Sequence, residues 1–268
     1  MKKLTLFIVI GLVLIPLSIR AQERKTGHRL GFEVGYQGLF GSTVVPERVR
    51  SVKSVHISEI DYLSEFYMGT CEYDTGHRLD MAYAGLKYEA LFLKNRLGVS
   101  TGIRFYQFSS TLNHHRDYDF FIWMLNQEET ASDYVTIRSI NQKSHSLGLP
   151  LEIRFFPAKR DRFFKQYIKI GGAMNYRMTT KNAIDFYKPE MSKYDGQVSG
   201  KIVNPCTFSG FVYPAIGFRW GKNNQPWFNA EFQFPGFIIA ERPHAFVHPD
   251  VGVGFQFSVL LPLNKSKQ

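Results

Sequence analysis

The stretch VGVGFQFSVLLPL, from Val251 to Leu263, alternates apolar residues with small or polar ones. Its odd-numbered positions carry valine or phenylalanine as far as Val259, and the even-numbered positions between them carry glycine, glutamine or serine. Successive side chains of a β-strand point to opposite faces of the sheet. The pattern therefore predicts a strand with one apolar face and one face of small and polar residues.

The same alternation occurs in seven other segments of the chain. A segment of about 10 residues has the length that a tilted strand needs to cross a bilayer. Aromatic residues, which favour strands, make up 15% of the sequence. With the opening stretch, the eight predicted strands are 30–37, 82–92, 97–105, 147–155, 168–177, 216–221, 228–234 and 251–263.

Short and long connections alternate between these strands. The short ones are 93–96, 157–166 and 222–226, and the long ones are roughly 41–79, 111–144, 179–209 and 235–250. Because every second connection is long, all four long loops lie at one end of the sheet. This arrangement is typical of an all-β, eight-stranded antiparallel up-and-down transmembrane β-barrel with four long extracellular loops and three short periplasmic turns. We expect the eighth strand to pair with the first and close the cylinder.

The second face of the strands decides between two kinds of barrel. A soluble lipocalin-like barrel turns its apolar face inward, whereas a membrane barrel turns it toward lipid. Here the second face combines glycines with charges of both signs, which can pair inside the narrow interior of an eight-stranded barrel. We expect a charge network inside the barrel, made of Glu33, Lys87, Glu89, Arg104, Glu152, Arg154, Lys169, Arg177, Arg219 and Glu231.

The first 21 residues have the features of a secretory signal peptide. Lys2 and Lys3 precede an apolar run from residue 4 to residue 17, and a small residue, Ala21, ends the segment. We expect a signal peptide over 1–21 and one barrel domain over 22–268. The mean hydropathy of −0.20 excludes a multi-span helical membrane protein.

Aromatic and basic residues gather at the short-turn end of the predicted strands. Phe92, Phe155, Phe156, Trp220 and Trp227 have the positions of an interfacial girdle. The formal net charge is +10, and basic residues dominate the short turns. For an exported chain we interpret this charge as attraction to the anionic headgroups of outer-membrane lipid, and we expect no nucleic-acid partner.

Four stretches carry a resemblance to a known family. They are Arg20–Ala21–Gln22, SLGLPLEIRFFP at 146–157, YIKIGGAMNY at 167–176, and the stretch that begins at Val251. With them, the chain resembles the small outer-membrane β-barrel proteins of Bacteroidota, the group called PorT-like or OMP beta-barrel. The resemblance implies a porin-like barrel in the outer membrane of a Gram-negative bacterium. It also implies the barrel-insertion machinery as a partner, for which Phe257 stands in place of the usual terminal aromatic residue.

The sequence predicts no catalytic, cofactor or metal site. A nucleophile needs its base within hydrogen-bond reach, and Ser144 and Ser146 should point away from His145, on the opposite face of the strand. The pair His56 and Ser58 lies within the first long loop. Adjacent His114 and His115 lack a third spaced ligand.

The loops contain the remaining candidates. A disulfide between Cys71 and Cys206 would link the first and third long loops. The apolar run that contains Phe120, Phe121 and Trp123 would serve as a lid over the barrel mouth or as a contact for lipid or a partner protein. We expect a non-enzymatic barrel with a side-chain-filled interior, whose loops shield the barrel or bind a partner or ligand. The alternatives are an outer-membrane lipid-modifying enzyme and a soluble periplasmic lipocalin-like barrel.

Overall fold

A computed structural model describes most of the barrel wall and part of the extracellular end. The described residues are 27–43, 49–52, 78–93, 95–113, 120–124, 134–157, 163–222, 225–234, 237–238 and 246–263. Their strands are β1 (His28–Thr43), β2 (Val49–Val52), β3 (Arg78–Phe92), β4 (Leu97–Asn113), β5 (Phe120–Met124), β6 (Tyr134–Phe155), β7 (Phe164–Phe186), β8 (Phe208–Trp220), β9 (Trp227–Gln233), β10 (Phe237–Ile238) and β11 (Val247–Pro262).

Eight of these strands form a closed antiparallel ring. Following the wall, β1 pairs with β3, β3 with β4, β4 with β6, and so on through β7, β8 and β9 to β11. β11 then pairs with β1, where Phe32 lies opposite Val259. The predicted eight-stranded up-and-down barrel is confirmed, including its closure by the last strand. Closure leaves the wall without an unpaired edge inside the bilayer.

The apolar face of the wall points outward, as predicted. Phe255 is 53% exposed and Ile170 is 62% exposed, while Glu33 on the other face is fully buried. A soluble barrel would place these apolar side chains inside, so the lipocalin-like alternative is excluded. No described helix has the length and apolar character needed to span a membrane. The outward belt contains Leu30, Phe32, Val34, Leu86, Ile103, Leu147, Leu149, Leu151, Ile153, Ile168, Ile170, Ile216, Phe228, Val253, Phe255, Phe257 and Leu261.

Several strands extend well beyond the predicted segments at the long-loop end. β6 has 22 residues and β7 has 23, so 134–144 and 179–186 are wall and not loop. The β6–β7 pairing shifts register between Ile137 and Ser139 and again between His145 and Ser146. Each such irregularity moves the following side chains to the other face of the strand. The outward positions above the belt are mostly polar, and the extra residue in β7 changes the phase after Arg177, so the sequence pattern did not predict these extensions.

The long connections contain further regular structure. β5 pairs with the end of β6 and with β2, so Phe120, Phe121 and Trp123 lie in a strand at the extracellular end. A 3₁₀ helix (Pro189–Tyr194) leads into α1 (Asp195–Lys201) between β7 and β8. β10 pairs with β8 beyond the end of β9.

Two aromatic side chains that we assigned to the short-turn interface lie inside the barrel, as does Lys165 from the segment 157–166. Trp227 and Phe156 are each 1% exposed, and Lys165 is also buried. Trp227 precedes the exposed Phe228, and Phe156 follows the exposed Phe155, so each takes the inward position next to an outward one. The girdle expected at this end therefore loses Trp227 and Phe156.

Candidate functional site: the filled barrel interior

Inward-facing polar side chains converge at the level of the outward belt. They form the charge cluster, which we define as five cations and four carboxylates. These nine side chains are at most 3% exposed. Together with Tyr213 and Gln256, they come from all eight strands of the ring. The cluster consists of Lys87, Arg104, Arg154, Lys169, Arg219, Glu33, Glu89, Glu152 and Glu231.

Glu152 lies at the centre of the charge cluster. Its carboxylate accepts hydrogen bonds from Lys169 Nζ at 3.0 Å, Arg154 Nη2 at 3.0 Å and Arg104 Nη2 at 2.5 Å, and it also pairs with Lys87. Four cations from β3, β4, β6 and β7 thus meet at one acidic group. Hydroxyl donors complete its shell: Tyr213 at 2.8 Å and Ser100 at 3.1 Å.

Glu33 connects the same cations to the closing seam of the barrel. Lys87 Nζ lies 2.8 Å from one of its oxygens, and Arg104 donates to both oxygens. Gln256 Nε2 on β11 donates to Glu33 on β1 at 2.8 Å. The first and last strands of the ring are therefore joined by side chains as well as by the backbone ladder.

Glu231 and Glu89 pair with the cations on the periplasmic side of the charge cluster. Glu231 accepts from Arg154 Nη2 at 2.8 Å and from the Tyr167 hydroxyl at 2.7 Å, and it pairs with Lys169. Arg219 Nη2 lies 2.8 and 2.7 Å from the two oxygens of Glu89. The cluster carries five positive and four negative groups, a net charge of +1. Close pairing of this kind offsets the desolvation cost of burying charges.

Inward glycines make room for tyrosine rings that reach the cluster. A Cβ atom on Gly217 would lie 2.3 Å from the Tyr167 ring, and one on Gly35 would lie 2.2 Å from the Tyr83 ring. The glycine face noticed in the sequence is thus the space that these rings fill. The same relation joins Gly171 to Tyr213 and Gly148 to Tyr106.

Arg177 does not belong to the charge cluster, contrary to the sequence prediction. It is half-buried at the register shift in β7, and its Nη1 donates to the Thr180 hydroxyl at 3.0 Å. Its backbone N–H donates to the carbonyl of Thr207 at 2.8 Å. The irregularity in the strand holds the side chain at the wall, close to the extracellular end.

A floor of cations and aromatic rings, which we did not predict from the sequence, lies below the charge cluster. The Arg29 guanidinium lies 3.2 Å from the centre of the Trp227 ring, and the Arg219 guanidinium lies 4.1 Å from it. Lys165 Nζ lies 5.8 Å from the same ring. The alternation of strand faces could have identified these residues. Arg29, Lys165 and Trp227 are each an even number of positions from an inward-facing charge on their own strand, so they face inward too.

Apolar residues fill the interior above the charge cluster. We call this group the upper cluster. Val198 and Ile202, from α1 and the residue after it, are buried in it and bring the third long connection over the barrel mouth. Its members are Leu39, Leu79, Met81, Tyr83, Tyr106, Phe108, Leu112, Val135, Ile137, Ile140, Ala173, Val198, Ile202, Phe211, Tyr213, Phe246 and Val247.

The remaining candidates are separated from one another or lie outside the described residues. His145 is on the outer wall, stacked on Phe105 at 5.5 Å, while Ser144 and Ser146 are buried inside. The described residues contain no group of His, Cys, Asp and Glu that could hold a metal ion. Cys206 is half-buried after α1. Outside the described residues lie Cys71, His56, Ser58, His114 and His115.

The alternating wall and its apolar belt place the protein in a bacterial outer membrane. No family model and no curated protein matches the sequence. Among solved structures, the chain is similar to the outer membrane protein OprG from Pseudomonas aeruginosa, with 14% identity, coverage of 88% of this chain and 95% of that one, and a TM-score of 0.36.

Two further solved structures are similar over comparable lengths. The attachment invasion locus protein Ail of Yersinia pestis is 11% identical over 88% of this chain and 97% of that one, with a TM-score of 0.30. An outer membrane channel from Pseudomonas putida F1 is 8% identical over 87% and 95% of the two chains, with a TM-score of 0.26. The belt and the closed ring of this chain, and not these likenesses, carry its assignment to the outer membrane.

Proposed function

We propose that the protein is a sealed outer-membrane barrel that acts as a rigid anchor for its extracellular end, and that it neither conducts ions nor catalyses a reaction. The observation that carries the proposal is the charge cluster. Side chains from all eight strands meet across the interior, and nine charged groups there are at most 3% exposed. An ion crossing the barrel would have to displace these paired groups, which is costly in an interior of low dielectric constant.

The upper cluster supports the same conclusion. Val198 is fully buried and Ile202 is 4% exposed, so the third connection lies over the mouth and contributes to its core. We infer that this connection shields the barrel. Of the other described extracellular strands, β5 pairs with the end of β6 and β2 pairs with β5, and together they would present a stiff surface to a partner protein.

From the sequence we also propose a protein family and an export route for the chain. The resemblance of 146–157, 167–176 and the final strand supports membership of the small Bacteroidota barrels, the PorT-like group. The basic and apolar composition of 1–21 supports export through a signal peptide. N-terminal sequencing of the protein from an outer-membrane fraction tests the second point, with Gln22 expected as the first residue.

Conductance in planar lipid bilayers tests the seal. We expect no stepwise current from the parent protein. In Glu33→Ala/Arg104→Ala, a buried ion pair is removed without changing the net charge, and we expect openings to appear. The matched control is Arg138→Ala/Asp185→Ala, which removes an exposed pair 3.8 Å apart on the outer wall and should stay silent. Open-channel steps from the parent would refute the sealed-barrel function.

The non-enzymatic part of the proposal has its own test. On the outer wall, His145 stacks on Phe105, and the serines beside it in the chain point into the interior. This separation supports a role without nucleophilic catalysis. Mass spectrometry of lipid A from a deletion strain should show the parental acyl pattern. An altered pattern that the restored gene corrects would favour the lipid-modifying alternative.

A further inference from the structure

Two lysines oppose each other on the outer wall, just above the apolar belt. Lys143 on β6 and Lys181 on β7 are direct partners in the antiparallel register, and both side chains are exposed. Directly opposed residues have Cβ atoms about 4.5–5.5 Å apart, and like charges in such positions destabilise the pairing. Within the described residues neither lysine forms an ion pair. Asp185, the acidic residue of β7, is four positions along the strand from Lys181 and pairs with Arg138.

The surroundings of this lysine pair divide into a polar and an apolar half. Ser109 on β4 lies beside Lys143, and Thr179 lies opposite His145 one outward position below. The next outward pair, Leu147 and Tyr176, is 44% and 50% exposed and belongs to the belt. Hydroxyl and ammonium donors thus lie directly above a lipid-facing surface.

The vertical distances fit a lipid headgroup. Leu147 lies four positions along β6 from Lys143, which is about 13 Å along the strand and about 10 Å along the membrane normal at the usual tilt. A lysine can bend its long side chain back toward the interface. Each headgroup layer of a bilayer is about 5–8 Å thick, so the ammonium groups reach its depth.

This feature is confined to one side of the described barrel. At the extracellular ends of β1, β8 and β11, the exposed wall carries Phe40, Phe208 and Val251. Other directly opposed cations, such as Lys165 and Arg219, point into the interior. We propose that Lys143 and Lys181 together bind the phosphate of an anionic lipid in the outer leaflet, with its acyl chains against Leu147 and Tyr176.

A lipid-binding assay with two matched double variants tests this site. The purified barrel in non-ionic detergent is titrated with phosphatidylglycerol, with phosphatidylcholine or with inorganic phosphate, and bound molecules are counted by native mass spectrometry. We expect phosphatidylglycerol to bind in preference to the other two. At about 1 kcal/mol per lysine, Lys143→Gln/Lys181→Gln should weaken its binding about 10- to 30-fold.

The control variant Lys188→Gln/Lys201→Gln removes the same charge from exposed positions in the third connection and should change the affinity less than about twofold. An equal loss in both variants, or equal binding of phosphatidylcholine, would overturn the site. Inorganic phosphate binding as tightly as the lipid would also overturn it.

Thermal stability separates binding from a structural role. Without anionic lipid, Lys143→Gln/Lys181→Gln should melt at the parent's temperature or above it, because the opposed charges are gone. With phosphatidylglycerol, only the parent and the control variant should gain stability. A double variant that is less stable than the parent in detergent alone would show that the lysines support the wall, and the proposal would fail.

Discussion

The interior of the barrel has opposite chemistry at its two levels. At the level of the belt it holds the charge cluster, with Glu152 1% exposed among four cations. Toward the extracellular end it holds the upper cluster, where Ile137, Ile140 and Val198 are fully buried. The polarity of the outer wall changes in the opposite direction, from the apolar Leu149 and Ile170 in the belt to the charged Lys143 and Lys181 above it.

This difference shows that the polarity of the environment sets the polarity of each face. Inside the bilayer the outer face must be apolar, so the inner face holds the polar residues, and the charged ones lie close to opposite charges. Above the bilayer the wall meets water, and an apolar interior stabilises it as in a soluble protein. The register shifts in the β6–β7 pair, after Ile137 and at His145, allow the same strands to serve both levels.

The largest effect should follow from breaking the lower level at its centre. Glu152→Leu leaves Lys87, Arg104, Arg154 and Lys169 without their shared carboxylate. Removing one partner of a buried ion pair costs about 3–5 kcal/mol. We expect the free energy of unfolding to fall by that amount in urea titrations of the barrel in lipid vesicles. Glu190→Leu, at an exposed glutamate of the third connection, is the control. Equal unfolding midpoints for the two variants would contradict the central role of Glu152.

A smaller loss should follow from placing a charge on the outer face of the lower level. Phe255→Lys directs a cation into the bilayer and should cost about 2–4 kcal/mol near the midplane. Val251→Lys, four residues closer to the extracellular end and 57% exposed, should cost less because the penalty falls toward the interface. Unfolding titrations in vesicles measure both variants. If Val251→Lys were the more damaging change, the depth that we assign to β11 would be wrong.

Overpacking the inner face tests the other side of the same strand. A Cβ atom on Gly254 would lie 2.3 Å from Gln37 Cγ and 2.6 Å from the Tyr36 carbonyl oxygen. Gly254→Leu should therefore destabilise the barrel by about 1–3 kcal/mol. The fraction of heat-modifiable protein in outer-membrane extracts reports on assembly. Gly196→Leu is the matched control, since nothing lies within 4 Å of a Cβ atom there. Normal assembly of Gly254→Leu would mean that the interior has more room than the structure shows.

The same contrast explains which features the sequence could predict. In the belt, one environment faces each side of a strand, so the alternation around Phe255 is regular and predicts the strand, its faces and the inward charges. Above the belt, the extra residue between Arg177 and Thr179 breaks the period of β7, and the mostly polar segment 179–186 resembles a loop although it is wall. The alternation of strand faces predicts that Trp227 and Arg29 point inward. A tryptophan next to a turn is also typical of an interfacial girdle, so the sequence alone supported both positions for Trp227.

The smallest effect on the barrel should come from opening the upper level alone. Val198 on α1 is fully buried in the upper cluster. Because an unpaired carboxylate is costly there, Val198→Asp should undock the third connection and leave the wall intact. We expect trypsin to cut faster at Lys193 and Lys201, while the free energy of unfolding of the barrel falls by less than the loss expected for Gly254→Leu. Val203→Asp, at a position that is 53% exposed, should leave the cleavage rate unchanged. If Val198→Asp instead destabilised the barrel as much as Glu152→Leu, the two levels would unfold as one unit, and the charge cluster alone would not hold the wall.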